Sequence, residues 1–221
     1  ERRLVTIVAN LQHPVKDHPT FLRAAARVRA AVPDAAFVIA GEGQLMPDLR
    51  ELTAQLGLER DVFFVGRCEK VAELLSVSDV CALSSTAEGF SNAILEYMAA
   101  ARPVVVTDVG GAREAVIEGE TGYIVSASDD QQMAGRMIEL LRDPKRASGI
   151  AAETMVESNG SMATRFPCCS SSKQASTKPP PLPPTFSGKA APSRPALANA
   201  AHSSPSVRAS PCSIVFSRSS V

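Results

Sequence analysis

No aspartate or glutamate follows Glu157. All 23 acids and 16 of the 23 bases therefore lie in the first 157 residues, which are acidic by seven charges, while the remainder is basic by seven. The formal net charge of zero hides this split, but it leaves no overall electrostatic pull toward nucleic acid or an acidic membrane. No apolar run approaches the roughly 20 residues that span a bilayer, so no transmembrane helix is expected. No signal-peptide pattern opens the chain. Metal-ligand spacing is missing as well. Cys68 and Cys81 are isolated, Cys168 and Cys169 are adjacent, and Cys212 is alone. Cys81, inside an apolar strand, reads as a small core residue, and the chain as a reducing, cytoplasmic protein.

What is present falls into two parts. Residues 1–166 carry apolar segments that alternate between strand and helix patterns. Residues 167–221 hold ten of the 16 prolines, many serines and no apolar periodicity. Such a segment cannot bury enough surface to offset the entropy of ordering, and a disordered tail is expected. Pro179–Pro184 contains the PxxP spacing of polyproline-II ligands.

In the first part the expected strands are 4–10, 36–40, 62–65, 79–83, 104–107 and a short 123–125. The helices between them are expected at 18–31, 45–56, 71–75, 92–101, 112–117, 133–141 and 145–157. Phe21, Leu22, Ala25 and Val28 share one face of the first helix, and Gly57 closes the second. The strands are near-continuous apolar runs, as when helices cover both faces of a parallel sheet. The pattern predicts an α/β, doubly wound, Rossmann-like domain.

The most informative stretch is Glu88-Gly89-Phe90-Ser91-Asn92-Ala93-Ile94-Leu95-Glu96. One carboxylate sits in a Gly-containing loop after an apolar strand, and the second sits within the following helix. This corner lies at the carboxyl end of a parallel sheet, where open α/β sheets bind ligands. The helical neighbours of Glu96 are Asn92, Ala93, Ala99 and Ala100, all small, so a ligand can approach its carboxylate. Ser91 or Asn92 can cap the helix, and its first-turn amides suit an anion. Carboxylates accept from sugar hydroxyls, and amides hold phosphate. A nucleotide sugar needs both.

Together with Val38-Ile39-Ala40-Gly41-Glu42-Gly43, Phe64-Val65-Gly66-Arg67, Pro103 to Gly111, Glu114 and Gly119 to Gly122, this motif resembles the donor-binding half of group 1 (family 4) retaining glycosyltransferases of the GT-B fold. The resemblance covers about residues 1–166. It implies transfer of a sugar, with retention, from a nucleotide-diphosphate donor, UDP- or GDP-linked, to an acceptor hydroxyl. In that reading Glu96 binds the ribose and Glu88 is the catalytic-site carboxylate beside the donor sugar, with Gly89, Phe90, Ser91 and Asn92 around it. Lys16 matches the family's diphosphate lysine. Asn10 stands where an arginine is frequent, and His13 is a candidate helper. Gly66 and Arg67 fall at the edge where the family places the nucleobase. No bound cofactor or metal is implied, and no Asp-x-Asp motif is visible.

The chain starts within an apparent strand, without Met, and is expected to be a fragment lacking the N-terminal acceptor domain. Alone it would transfer nothing. Its glycan or lipid-linked acceptor would enter through that missing half. The full enzyme is expected in the cytoplasm or peripheral at the inner membrane. Residues 155–164 resemble the approach to the family's terminal helix before dissolving into Ser, Pro, Ala and Arg, which reads as a frame shift.

Gly41-x-Gly43 begins a dinucleotide fingerprint, but Met46 occupies the third glycine's place, so a nicotinamide site is rejected. The glycine pair is expected to let backbone pass close to ligand. Rival readings are an epimerase or phosphorylase of similar scaffold, a non-catalytic nucleotide-sugar-binding module, and a flavodoxin-like receiver. The last would want clustered acids where His13 and Lys16 stand.

Overall fold

A computed structural model describes residues 2–160, with side-chain surroundings to residue 152. The proline-rich tail, its expected disorder and its PxxP segment lie outside the described residues. Strands β1 (Arg3–Val8), β2 (Ala35–Ala40), β3 (Val62–Gly66), β4 (Val80–Leu83), β5 (Val104–Thr107) and β6 (Gly122–Val125) alternate with helices α1 (His18–Ala31), α2 (Met46–Gln55), α3 (Val71–Ser76), α4 (Asn92–Ala99), α5 (Ala112–Ala115) and α6 (Asp130–Arg142). Helix α7 (Pro144–Gly160) follows α6. The six strands form one parallel sheet in the order β3-β2-β1-β4-β5-β6. Among the described residues no helix is long and apolar enough to cross a membrane.

Strand burial explains the composition. Every residue of β2, β4 and β5 is buried. A strand covered on both faces has no solvated side to keep polar. Alternate residues serve different layers. Val5, Ile7, Phe37, Ile39 and Val105 pack with Phe21, Leu22 and Val28 of α1 and Met133 and Met137 of α6. Cys81, Leu83, Val104 and Val106 pack with Ile94, Tyr97 and Met98 of α4 and with Ala112 and Val116. The helices after β1 and β4 thus cover opposite faces of the sheet.

Local chemistry sets the helix ends. Asp17, in the left-handed region at φ 43°, caps α1 by accepting from the Thr20 backbone amide and, at 2.7 Å, its hydroxyl. Helix α2 closes on Gly57 at φ 69°. There the Leu58 amide reaches Thr53 O at 3.0 Å and the Gly57 amide reaches Ala54 O at 2.9 Å, a Schellman arrangement.

Between β1 and β4 the ladder is short. Val5 pairs with Val80 and Thr6 with Cys81. Past Thr6 the fully buried Tyr97 hydroxyl sits between the strands. It accepts the Val8 amide at 2.8 Å and donates to the Ala82 carbonyl at 3.2 Å. Burial holds the Tyr97 phenol well above its ordinary pKa, so it remains a donor. Replacing Tyr97 by Phe strands the Val8 amide and the Ala82 carbonyl. Urea unfolding of Tyr97→Phe should show a loss of about 1–3 kcal/mol. An unchanged midpoint would mean that the bridge carries no stability.

Candidate functional site

In the strand order, β1 and β4 are neighbours from which the chain departs in opposite directions, and open sheets leave a crevice at such a switch point. Two loops meet there. The loop after β1 runs through Asn10 to a 3-10 turn, Pro14–Lys16. The loop after β4 runs from Ser84 to Ser91 and enters α4. Backbone and hydroxyl bonds tie them together. The Thr86 amide donates to Val15 O at 2.8 Å, and the Ser84 hydroxyl donates to Lys16 O at 2.8 Å.

That clamp brings Lys16 and Glu88 face to face. Lys16 Nζ lies 2.5 Å from Glu88 Oε1, with side-chain exposures of 19% and 13%. The Ser85 hydroxyl donates to the same oxygen at 2.6 Å, and the Thr107 hydroxyl holds the Ser85 carbonyl at 2.6 Å. Ser84, Ser85 and Thr107 are all buried. These hydroxyls, at the carboxyl ends of apolar strands, were missed in the sequence. Their signal was a polar residue ending an otherwise apolar run.

The glycines fit the loops closely. The Gly111 amide donates to Gly89 O at 2.7 Å. Gly110 stands at φ 53°, where a Cβ would meet the Gly89 and Glu88 carbonyl oxygens at 2.3 and 2.4 Å. A Cβ on Gly111 would come within 2.5 Å of the Phe90 ring. The Gly110-Gly111 turn therefore packs directly on the Glu88 loop, at the same sheet edge. Gly41 and Gly43 have a packing role of their own. A Cβ there would sit 1.9 Å from Ala9 O and 2.1 Å from Leu11 C, so these glycines let the loop after β2 pass the loop after β1. They serve backbone-to-backbone packing.

The remaining predicted residues occupy distinct places. Ser91 is buried at the cap position of α4, but its side chain makes no capping bond, and the exposed Asn92 begins the helix. The first-turn amides of α4 thus lack a side-chain cap. Glu96 is exposed one turn on, and no ion pair among the described residues engages it. Gly89 and Phe90 are exposed on the loop. Asn10 is exposed after β1, and its side-chain Oδ1 accepts the Gln12 backbone amide at a long 3.4 Å. His13 is exposed at the start of the 3-10 turn. Gly66 ends β3 at φ 68°, its carbonyl accepting the Gly41 amide at 2.8 Å, and Arg67 follows, exposed. Three strand spacings, about 14 Å, separate β3 from β4. Gly66 and Arg67 therefore stand apart from the Lys16–Glu88 pair, along the same edge.

With this geometry in view, comparison with known proteins is decisive on family. The sequence profile described as "Glycosyl transferases group 1" matches residues 2–143. The chain belongs to this family. It is similar to the D-inositol 3-phosphate glycosyltransferase of Rhodococcus erythropolis, 35% identical over 159 residues covering 68% of this chain and 36% of that protein. It is also similar to the GDP-mannose-dependent alpha-(1-6)-phosphatidylinositol monomannoside mannosyltransferase of Mycolicibacterium smegmatis, 30% identical over 176 residues, 75% of this chain and 46% of that one. The chain spans only 29–36% of the length of the first curated relatives it matches. Among solved structures, HepE of Anabaena in complex with UDP and glucose superposes with a TM-score of 0.66 at 25% identity, over 70% of this chain and 43% of HepE. The C-terminal domain of the group 1 family protein LpcC from Francisella tularensis aligns at TM-score 0.65 and 24% identity, over 72% of this chain and 85% of that domain. The described residues form one Rossmann-like half of the GT-B fold.

Behind the lysine sits a residue that was read only as the first position of a helix. His18, first in α1, is fully buried, and among the described residues neither ring nitrogen makes a hydrogen bond of good geometry, the Ala9 backbone being a weak partner. Burial lowers its pKa to about 4. The Ala9 backbone and then Asp17 oppose the shift, and Lys16 adds to it. The folded state therefore favours the neutral ring. Stability from this residue is complete above about pH 6.5 and is lost as pH falls toward 4. The shift corresponds to on the order of 3 kcal/mol. Urea unfolding between pH 7.5 and 4.5 should fall more steeply for the parent chain than for His18→Leu. Equal slopes would show that His18 does not titrate on unfolding.

Proposed function

We propose that residues 1–166 are the nucleotide-sugar-binding domain of a retaining glycosyltransferase. Lys16 holds the donor diphosphate together with the amides opening α4, whose partial positive charge favours an anion. Glu96 accepts from both ribose hydroxyls. Glu88 acts on the sugar, within a loop whose backbone is held by Gly110 and Gly111. Gly66 and Arg67 meet the base through backbone and guanidinium, and Asn10 lines the phosphate side. The observation that carries this reading is the juxtaposition at one sheet edge of a cation, two carboxylates and a helix terminus without a side-chain cap.

No bound cofactor is required, because fixed amides and a lysine stabilise a leaving diphosphate as it gains charge. Relatives and neighbours keep two bases open. HepE is complexed with UDP, whereas the mycolicibacterial mannosyltransferase is named for GDP-mannose. The acceptor, a glycan or a lipid-linked sugar, is contributed across the cleft by another domain. This chain alone therefore binds donor weakly and transfers nothing. The full-length enzyme works in the cytoplasm or peripherally at the inner membrane.

Two substitutions separate the roles of the carboxylates. Glu96→Gln keeps one acceptor and loses charge-assisted bonds, so affinity for UDP or GDP should fall by about 1.5–3 kcal/mol in calorimetric titration. Equal binding of ribo- and 2′,3′-dideoxyribonucleoside diphosphates by the parent chain would remove Glu96 from the ribose. In the complete enzyme, Glu88→Ala should abolish transfer without weakening binding of the free nucleoside diphosphate. Loss of both together would make Glu88 a loop support instead.

A further inference from the structure

The ion pair between Lys16 and Glu88 bears on more than donor recognition. The cation assigned to the diphosphate is already paired with a carboxylate. Its partner oxygen, Glu88 Oε1, also accepts the Ser85 hydroxyl, so the carboxylate is seated by two donors at 2.5 and 2.6 Å. The loops carrying the two residues are clamped by the bonds from Thr86 and Ser84. The pair therefore parts only by side-chain movement. Among the described residues, two further arginines are engaged or distant. Arg113 is held as a fork by Asp108 at 2.7 and 2.6 Å, and Arg67 stands at the end of β3, three strands from β4. A diphosphate arriving at the start of α4 must compete with Glu88 for Lys16.

We infer that Glu88 and Lys16 form an exchange pair, which discriminates the sugar-bearing donor from the spent nucleoside diphosphate. This rests on the nucleotide-sugar reading above. A free nucleoside diphosphate that takes Lys16 leaves a largely buried carboxylate without its cation, next to new negative charge. Leaving one member of such a pair unmatched is costly. A donor that brings its sugar offers hydroxyl donors to Glu88 in the same step, so the displaced carboxylate stays satisfied while Lys16 turns to the phosphates. Once the sugar has been transferred, those hydroxyls depart with it. Glu88 then recaptures Lys16 and weakens the hold on the product. No bond is made or broken by the pair itself. It is a built-in competitor that acts against product and spares substrate.

Calorimetric titration of the 221-residue chain with UDP, GDP, UDP-glucose and GDP-mannose tests this. The proteins compared are the parent, Glu88→Gln, Lys16→Ala and the double variant. Glu88→Gln is near-isosteric, and melting temperatures confirm that each variant folds. In Glu88→Gln the accepted free diphosphate should bind about fivefold tighter or more, the effect of removing a charge-assisted competitor. The matching sugar nucleotide should gain nothing or bind more weakly. The gain should vanish when Lys16 is already Ala, because the two changes are then no longer coupled. Binding by Glu88→Gln alone, with none by the parent, supports the inference. Equal affinity of the parent and Glu88→Gln for the free diphosphate overturns it and leaves the nucleotide-sugar reading standing, as does a gain that persists without Lys16. If neither the parent nor Glu88→Gln binds any of the four ligands, even at ligand concentrations high enough to register weak binding, the nucleotide-sugar reading fails and the inference with it.

Discussion

The parting of β1 from β4 is the constraint on which the rest depends. Their ladder pairs Val5 with Val80 and Thr6 with Cys81, and the next polar contact across the gap is made by a side chain, the Tyr97 hydroxyl. A buried amide and a buried carbonyl left at a widening seam would each cost a desolvation penalty. One phenol serves both. Because Tyr97 belongs to α4, the bridge also anchors the helix whose first turn faces the crevice and whose next residue back is Glu96. The opening of the sheet and the placement of the carboxylate are thus one packing event.

Around that opening the chain uses hydroxyls where a purely apolar domain would use methyls. Ser84, Ser85 and Thr107 are buried, and each spends its hydroxyl on a loop carbonyl or on Glu88. The result is a pair of loops whose geometry is held from beneath. A mostly buried ion pair contributes little net stability once desolvation is counted. The Lys16–Glu88 contact is therefore a weak structural brace, which agrees with the site role proposed for it. The neutral His18 under the same loop has the same character, being a polar group placed where folding alone would have preferred an apolar one.

Much of the fold was legible in the residues. The helix at His18–Ala31 and the strand at Val104–Thr107 match their expected ranges, since each is bounded by a sharp change of pattern. Boundaries drifted where the chemistry of the ends was subtler. The first strand stops at Val8 because the sheet opens there, although Ala9 and Asn10 extend the run. Helix α6 begins at Asp130, earlier than its apolar face suggested, because Asp129 caps it through the Gln132 amide at 2.8 Å. The 3-10 turn at Pro14–Lys16 was not foreseen, as three residues carry no periodicity.

Sequence alone determined the class of fold and the Glu-x7-Glu corner at a strand's carboxyl end, because residue type, spacing and apolar period are local properties, and the family resemblance added the candidacy of Lys16. Tertiary structure decided which of them meet. Lys16 and Glu88 are 72 positions apart, and only the order β3-β2-β1-β4-β5-β6 sets their loops side by side. The same order keeps Arg67 away from them and packs Gly41 and Gly43 against the loop after β1. Strand order depends on which apolar faces bury best across the whole domain, and no window of sequence contains that sum.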